Sequence, residues 1–396
     1  MTALPAPADL LSAIRSSCAA CTTASQISID EHHIDAFIRS VDRDAWEART
    51  GEEGGAAAHG VRLPLRFDSA EEELNLLATL ALLNFLSGYR TALHRLTGRG
   101  AYSSILSLVL SAYLSSAGEV SSTPSLLTAA GMRAANIAQL AELMRMKTHT
   151  EKPHPELGSA VMVGEKDDEA FEILGLLEGV LRQTGEVLQR EGKASLGEWV
   201  VAKLKQTDGD VGKMVAELAS TFPAFDDVHT VDGKPVYLFK KALWLLSVVA
   251  LRFSSPDEPA PRFPLPKIDK GAGLPVFADN VLPSLLLHLD ILCLASCPDP
   301  ALAALAAPSA PSSAYSLSSS SATKLRAAAV TASSLIVARA HALAAESGKD
   351  EDRWLAGWTE RKLDAWLWDA AKEGEKRSLE GDGSVRRIAE RGTVFY

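Results

Sequence analysis

Positive charge is what this sequence has too little of. Its 40 Lys and Arg face 50 Asp and Glu, a formal net charge of -10 over 396 residues. An acidic chain with no basic stripe repels a phosphate backbone, so a small ligand is expected rather than direct binding to nucleic acid. Cysteine is scarce too. Cys18 and Cys21 form a C-x-x-C set among Ser, Ala and Thr, and Cys293 and Cys297 stand far along the chain. No second C-x-x-C or histidine pair completes a zinc set. No metal is expected, and the cysteines read as small buried hydrophobes kept reduced inside the cell. No apolar run reaches the roughly 18 residues of a membrane span. The longest, residues 242–251, reads as a core helix, and no membrane partner is expected. The N-terminus lacks a basic region followed by a long apolar stretch, so it does not read as a secretory signal. These absences point to the cytoplasm, with the nucleus second. P-loop, G-x-G-x-x-G, G-x-S-x-G and H-E-x-x-H motifs are all missing.

What is present is apolar residue at helical spacing. Hydrophobic residues make up 47% of the chain, ample for a sizeable core. In "EEELNLLATLALLNFL" (71–86) three acids open a segment that is apolar nearly all round, with Asp68 or Ser69 to cap it. Acids suit a helix N-terminus, and apolar character on every side marks a buried central helix. Further helices are expected at 34–41, 102–115, 125–130, 132–146, 168–190, 196–205, 211–221, 236–253, 281–294, 322–345 and 361–371. Alternating strands are scarce; "SQISID" (25–30) is the best, with "TVFY" at the end as a short extended piece. The expected fold is mostly α, one large helical domain over 1–396 with at most a small β element. Loop insertions are expected at 48–60 (Gly/Ala-rich), 254–275 (Pro-punctuated) and 307–322 (Ser/Ala/Pro low complexity).

Candidate chemistry lies in polar residues set among bulk. Asp279 and Asn280 sit in "VFADNVLP", where a lone buried charge is costly and must be paired, capped or turned to a cavity. The plainer reading is an N-cap for the helix that follows. Asp226 and Asp227 follow two aromatics, Phe222 and Phe225. Lys240 and Lys241 open an apolar helix, where the macrodipole works against them. "LDAWLWDAAKE" carries Trp366, Trp368 and Asp369. Singly, each is more simply structural. Together, Asp227, Lys240, Asp279 and Asp369 have the composition of an apolar pocket with a few convergent polar groups.

The order of these stretches resembles the queuosine-salvage family, the queuosine 5'-phosphate N-glycosylases. The resemblance runs through "IRSSC", "SQISIDEHHIDAF", "LPLRFDSAEEELNLLATLALLNFLSGYR", "FPAFDDV", "VYLFKKALWL", "FADNVLP", "LDAWLWDAA" and the terminal "RGTVFY", from about Ile14 to Tyr396. The chain departs from the family pattern at several points. Lys241 and Leu243 stand where the family usually has Arg and Gln, and Leu86 where it has Gly. "ATKLRAAAV" keeps Arg326 and Ala327 without the family's acids, and paired histidines near the C-terminus are missing.

The resemblance implies a fold like that of helical DNA glycosylases and no cofactor. The implied reaction is hydrolysis of the N-glycosidic bond of queuosine 5'-monophosphate, releasing queuine for salvage into tRNA modification. Breaking that bond builds positive charge on the sugar, which a fixed carboxylate stabilises. Asp279 is expected in that role, with Lys240 beside it. Phe85, Phe225 and Trp368 are expected as walls for the base, Asn84, Asp227 and Asp369 as polar contacts, and Arg387, Arg391 and Tyr396 as phosphate contacts. The competing reading is a non-catalytic nucleotide- or base-binding relative, a scaffold in the tRNA-modification pathway. A DNA-repair glycosylase is disfavoured by the acidic charge.

Overall fold

The computed structural model describes residues 3–51, 65–116, 124–154, 156–254, 260–269, 273–306, 315–378 and 386–396, without the side chains of 116, 159 and 372–378. The fold is mostly α, as the periodicity requires. In chain order the first half runs α1 (Leu10–Ala24), β1 (Ser28–Ile29), α2 (Glu31–Ser40), α3 (Arg43–Thr50), α4 (Ala70–Leu83), α5 (Arg90–Thr97), α6 (Ala101–Ser116), α7 (Ala129–Arg133), α8 (Ile137–Met144), β2 (His149–His154), β3 (Gly158–Lys166) and α9 (Asp168–Arg190). The second half runs α10 (Leu196–Thr207), α11 (Val211–Thr221), β4 (Val228–Val231), β5 (Lys234–Tyr237), α12 (Lys240–Phe253), α13 (Val281–His288), β6 (Leu292–Cys293), α14 (Pro300–Leu305), α15 (Ser319–Ser347) and α16 (Glu360–Ser378). The strands form three two-stranded antiparallel ribbons, β1 with β6, β2 with β3 and β4 with β5.

The chain clusters into two compact units. Unit 1 is Met1–Arg66, Lys203–Ser220 and Phe225–Glu390; unit 2 is Phe67–Ala202, Thr221–Ala224 and Arg391–Tyr396. Unit 1 is built around α15. Its alanines and serines present a low surface, with Ala322, Ala327, Ala328, Ala329 and Ala332 fully buried, and α1 lies against it with Thr22 and Thr331 hydroxyls 3.1 Å apart. Cys18 and Cys21 are buried on α1, Cys18 wholly. A second cluster joins α3 to α16 through Trp46, Trp354, Trp358 and Trp366, with Trp46 and Trp358 stacked 3.9 Å apart.

Unit 2 is organised by α4. Ser69 caps it, accepting from Glu72 N–H, and every residue from Leu76 to Leu83 is buried. Asn75 ties this helix to its neighbours. Its amide donates to Leu127 O at 2.9 Å and its Oδ1 accepts from Gly197 N–H at 2.9 Å. Gly197 is required there, because a Cβ would sit 2.5 Å from Asn75 Cα.

Several boundaries differ from the sequence expectation, each for a local reason. The 236–253 segment is broken by Phe239, which takes a left-handed φ of 49°, so residues 234–237 pair as β5 and the helix starts at Lys240. The 281–294 helix stops at His288, since Asp290 turns left-handed (φ 54°) and Leu292–Cys293 pairs with β1. The β2–β3 ribbon was not anticipated. Both of its faces are solvent-exposed, so no apolar alternation marks it. Among the described residues α15 is apolar and long enough to cross a membrane, contrary to expectation, but half of that stretch is buried inside the fold. Much of the three expected insertions (52–60, 255–259, 270–272 and 307–314) lies outside the described residues, while 319–322 already belong to α15.

Candidate functional site

Four buried groups in unit 1 come together around the start of α12 and the 276–280 turn: Asp227, Lys240, Asp279 and Asp364. Lys240 is the first residue of its helix. Phe239 before it offers no capping side chain, and the Lys240 N–H is met instead by Asp227 Oδ2 at 3.2 Å. Asp227 accepts three further bonds: a two-pronged pair from Arg326 (Nη1 to Oδ1 3.0 Å, Nη2 to Oδ2 2.7 Å) and one contact with His229 Nε2 at 2.9 Å. Burial works against this carboxylate, but the Arg326 guanidinium and His229 outweigh it and hold Asp227 well below the usual range. Arg326, fully buried, spends its remaining Nε on Ala278 O at 2.8 Å. One ion pair therefore fixes both the start of α12 and the turn that carries Asp279.

On that turn Asp279 Oδ1 accepts from Val281 N–H at 2.7 Å. The capping contact belongs to Asp279, not to Asn280. Asn280 is held by the C-terminal segment, donating from Nδ2 to Ile388 O at 2.8 Å, while Ser284 Oγ accepts from Ile388 N–H at 3.0 Å. The Asn280 Oδ1 is buried without a hydrogen-bond partner. Lys240 is buried, which pushes its ammonium down, and the charge of Asp279 opposes that shift. Lys241 behind it lies 5.5 Å from the Phe225 ring centre and is pushed down further, by burial and by Lys240.

Asp364 was not singled out from the sequence. Its Oδ1 accepts from Phe277 N–H at 2.8 Å, two residues before Asp279. Burial pushes this carboxyl up to about 7; the Phe277 N–H and Lys240 pull it down and Asp279 adds to the rise. The signal lay in the helical phase of α16. Asp364 is seven residues, two turns, from fully buried Ala371 and therefore on the same stripe, whereas Asp369 is rotated away from it.

Asp369 is outside the cluster. It pairs with Arg49 at 3.0 Å, and Arg49 lies over the Trp366 ring. Trp368 stands one turn beyond Asp364 on the same face of α16 and is half-buried. Arg387 precedes Ile388, the residue clamped to Asn280. The other expected residues belong to unit 2. Asn84 ends α4 as its C-cap and Phe85 is buried beside it. Arg391 pairs with Glu169 at 2.5 Å and lies over the Tyr89 ring, and Tyr396 is buried. Among the described residues no group of three or more His, Cys, Asp and Glu side chains is arranged to hold a metal ion.

No curated protein matches this chain. The family model described as queuosine salvage protein matches residues 120–396, well over half of the sequence. The matched span carries Asp227, Lys240, Asp279, Arg326 and Asp364. The chain belongs to the queuosine salvage protein family.

Proposed function

We propose that this protein hydrolyses the N-glycosidic bond of queuosine 5'-monophosphate, giving queuine and ribose 5-phosphate. Family membership supports the pathway, and one observation carries the chemistry: Asp279 and Lys240 act on each other inside a buried cluster of charged groups. In such surroundings a fixed carboxylate is worth far more to a developing cation than it is in water. Asp279 keeps one oxygen on Val281 N–H, which orients it, and faces C1' with the other. Lys240 balances its charge before substrate arrives. The base sits against Phe225 and Trp368. Asp227, the polar contact expected from the sequence, acts instead through Arg326 and the α12 N-terminus, since its carboxylate already takes four bonds. Arg387, next to the Ile388 that is clamped to Asn280, is the preferred phosphate contact.

The test is direct. Purified protein is incubated with queuosine 5'-monophosphate and with the unphosphorylated nucleoside, and products are separated by chromatography. Release of queuine from the nucleotide is the expected result. Tight binding of the nucleotide with no queuine released would replace this function with that of a non-catalytic binder.

A further inference from the structure

We propose that Asp364 is a second catalytic carboxyl, the proton donor to the departing base. The inference rests on the glycosylase function proposed above and assigns it a residue. Geometry carries it. Asp364 and Asp279 are held by the same short turn: Asp364 through Phe277 N–H at 2.8 Å, and Asp279 within the turn itself. Asp364 is 3% exposed and Asp279 7%, so bulk water does little to separate their charges. The groups facing them can be counted by element. Lys240 comes from α12, and Arg326 from α15 is already neutralised by Asp227. On α16 itself Glu360, one turn earlier, is matched by Arg15 of α1 at 2.9 Å. Among the described residues Lys240 thus faces both carboxyls, and Asp227, which it also faces, is matched by Arg326. Two carboxyls with one counter-charge share a proton, and the environment sets which one holds it. The raised affinity of Asp364 for its proton agrees with that assignment.

The step balances. As the C1'–N bond breaks, its electron pair passes to the base nitrogen, which takes the proton of Asp364. The Asp279 carboxylate stabilises the cationic sugar. Water adds to C1' and gives its proton to Asp279, and transfer from Asp279 to Asp364 restores the starting state. One water is consumed, the base leaves carrying one hydrogen, and the sugar gains a hydroxyl.

General-acid assistance matters only where the leaving group needs a proton. The test therefore compares queuosine 5'-monophosphate with 4-nitrophenyl riboside 5-phosphate, whose phenolate leaves unaided. Asp364→Asn keeps the acceptor for Phe277 N–H but has no proton to give. It is expected to lose about a hundredfold or more in kcat on the nucleotide and less than about threefold on the nitrophenyl compound. Asp279→Asn is expected to lose activity on both. Equal losses for Asp364→Asn on the two substrates, or more than about a tenth of wild-type kcat retained on the nucleotide, would overturn the assignment. A melting curve of the variant separates loss of chemistry from loss of fold. As a measurement free of the variant, the alkaline limb of the wild-type kcat profile should fall near pH 7 for the nucleotide and be absent for the nitrophenyl compound. A wild-type protein that cleaves neither substrate would overturn the glycosylase function itself. A wild type that cleaves both, with an unimpaired Asp364→Asn, would overturn the role of Asp364 alone.

Discussion

Asp227 and Asp364 are both carboxyls buried in unit 1, 2% and 3% exposed, and burial pushes both upward, yet they end on opposite sides of the usual range. Asp227 is held below the usual range and Asp364 is pushed up to about 7. The difference lies in partners. Asp227 has a two-pronged guanidinium, an imidazole and a backbone N–H. Asp364 has one backbone N–H, the charge of Lys240 and a neighbouring carboxylate. Desolvation alone does not make a group reactive; desolvation without enough donors does. The first carboxylate is architecture, and the second is available for chemistry.

The largest effect that could break this contrast is loss of Arg326. Arg326→Ala leaves Asp227 charged, buried and short of its main partner, at a cost of about 3–5 kcal/mol in unfolding free energy from denaturant titration. A loss below about 1 kcal/mol would show the pair is not what secures the turn.

Next comes Asp364→Asn, read as stability against pH. Its folded pKa lies above the unfolded value, so the native state binds more protons between about pH 4 and 7 and wild-type stability falls across that window. The variant escapes the fall. It should be more stable than wild type at pH 8, by up to about 3–4 kcal/mol, and nearly equal below pH 4. A pH-independent difference in Tm would sink the expectation.

Asp279→Asn follows. The amide is nearly isosteric and can still accept from Val281 N–H, so stability should move by about 1 kcal/mol or less. Turnover should fall about a hundredfold or more, a barrier increase of roughly 3 kcal/mol. A variant keeping more than about a tenth of its turnover would make Asp279 a cap alone.

His229→Phe is the smallest. It removes one of the four contacts to Asp227 and leaves the Arg326 fork, so about 1 kcal/mol should be lost. A loss as large as that of Arg326→Ala would mean His229, not the guanidinium, decides the state of Asp227.

Much of the fold was legible because the signals were local. Acids at Glu71–Glu73 behind Ser69 announced α4, and the Asp168–Arg190 expectation matches α9 to the residue. Breaks were harder. Nothing in Phe239, Leu86 or Asp290 advertises a left-handed backbone, which L-residues adopt at a cost of roughly 1–2 kcal/mol and only when surroundings impose it. Of the buried cluster, Asp227, Lys240 and Asp279 stood out in the sequence by their apolar settings. Asp364 was hidden between Leu363 and Trp366, where only helical phase separates it from Asp369. The Asp227–Arg326 pair joins residues 99 apart in sequence, a separation no local pattern reports.

The interleaving of the two units has a consequence for how the chain is made. Unit 2 begins at Phe67, but its last segment starts at Arg391, where Gly392 N–H donates to Tyr89 Oη at 2.8 Å and Arg391 reaches Glu169. At about 5–20 residues per second, synthesis from Ala202 to Arg391 occupies on the order of 10–40 s. Throughout that interval Tyr89 has Glu172 and Glu169 has Arg95, but the second partner of each has not yet been translated. Unit 2 therefore closes only after the last segment of unit 1 has been made.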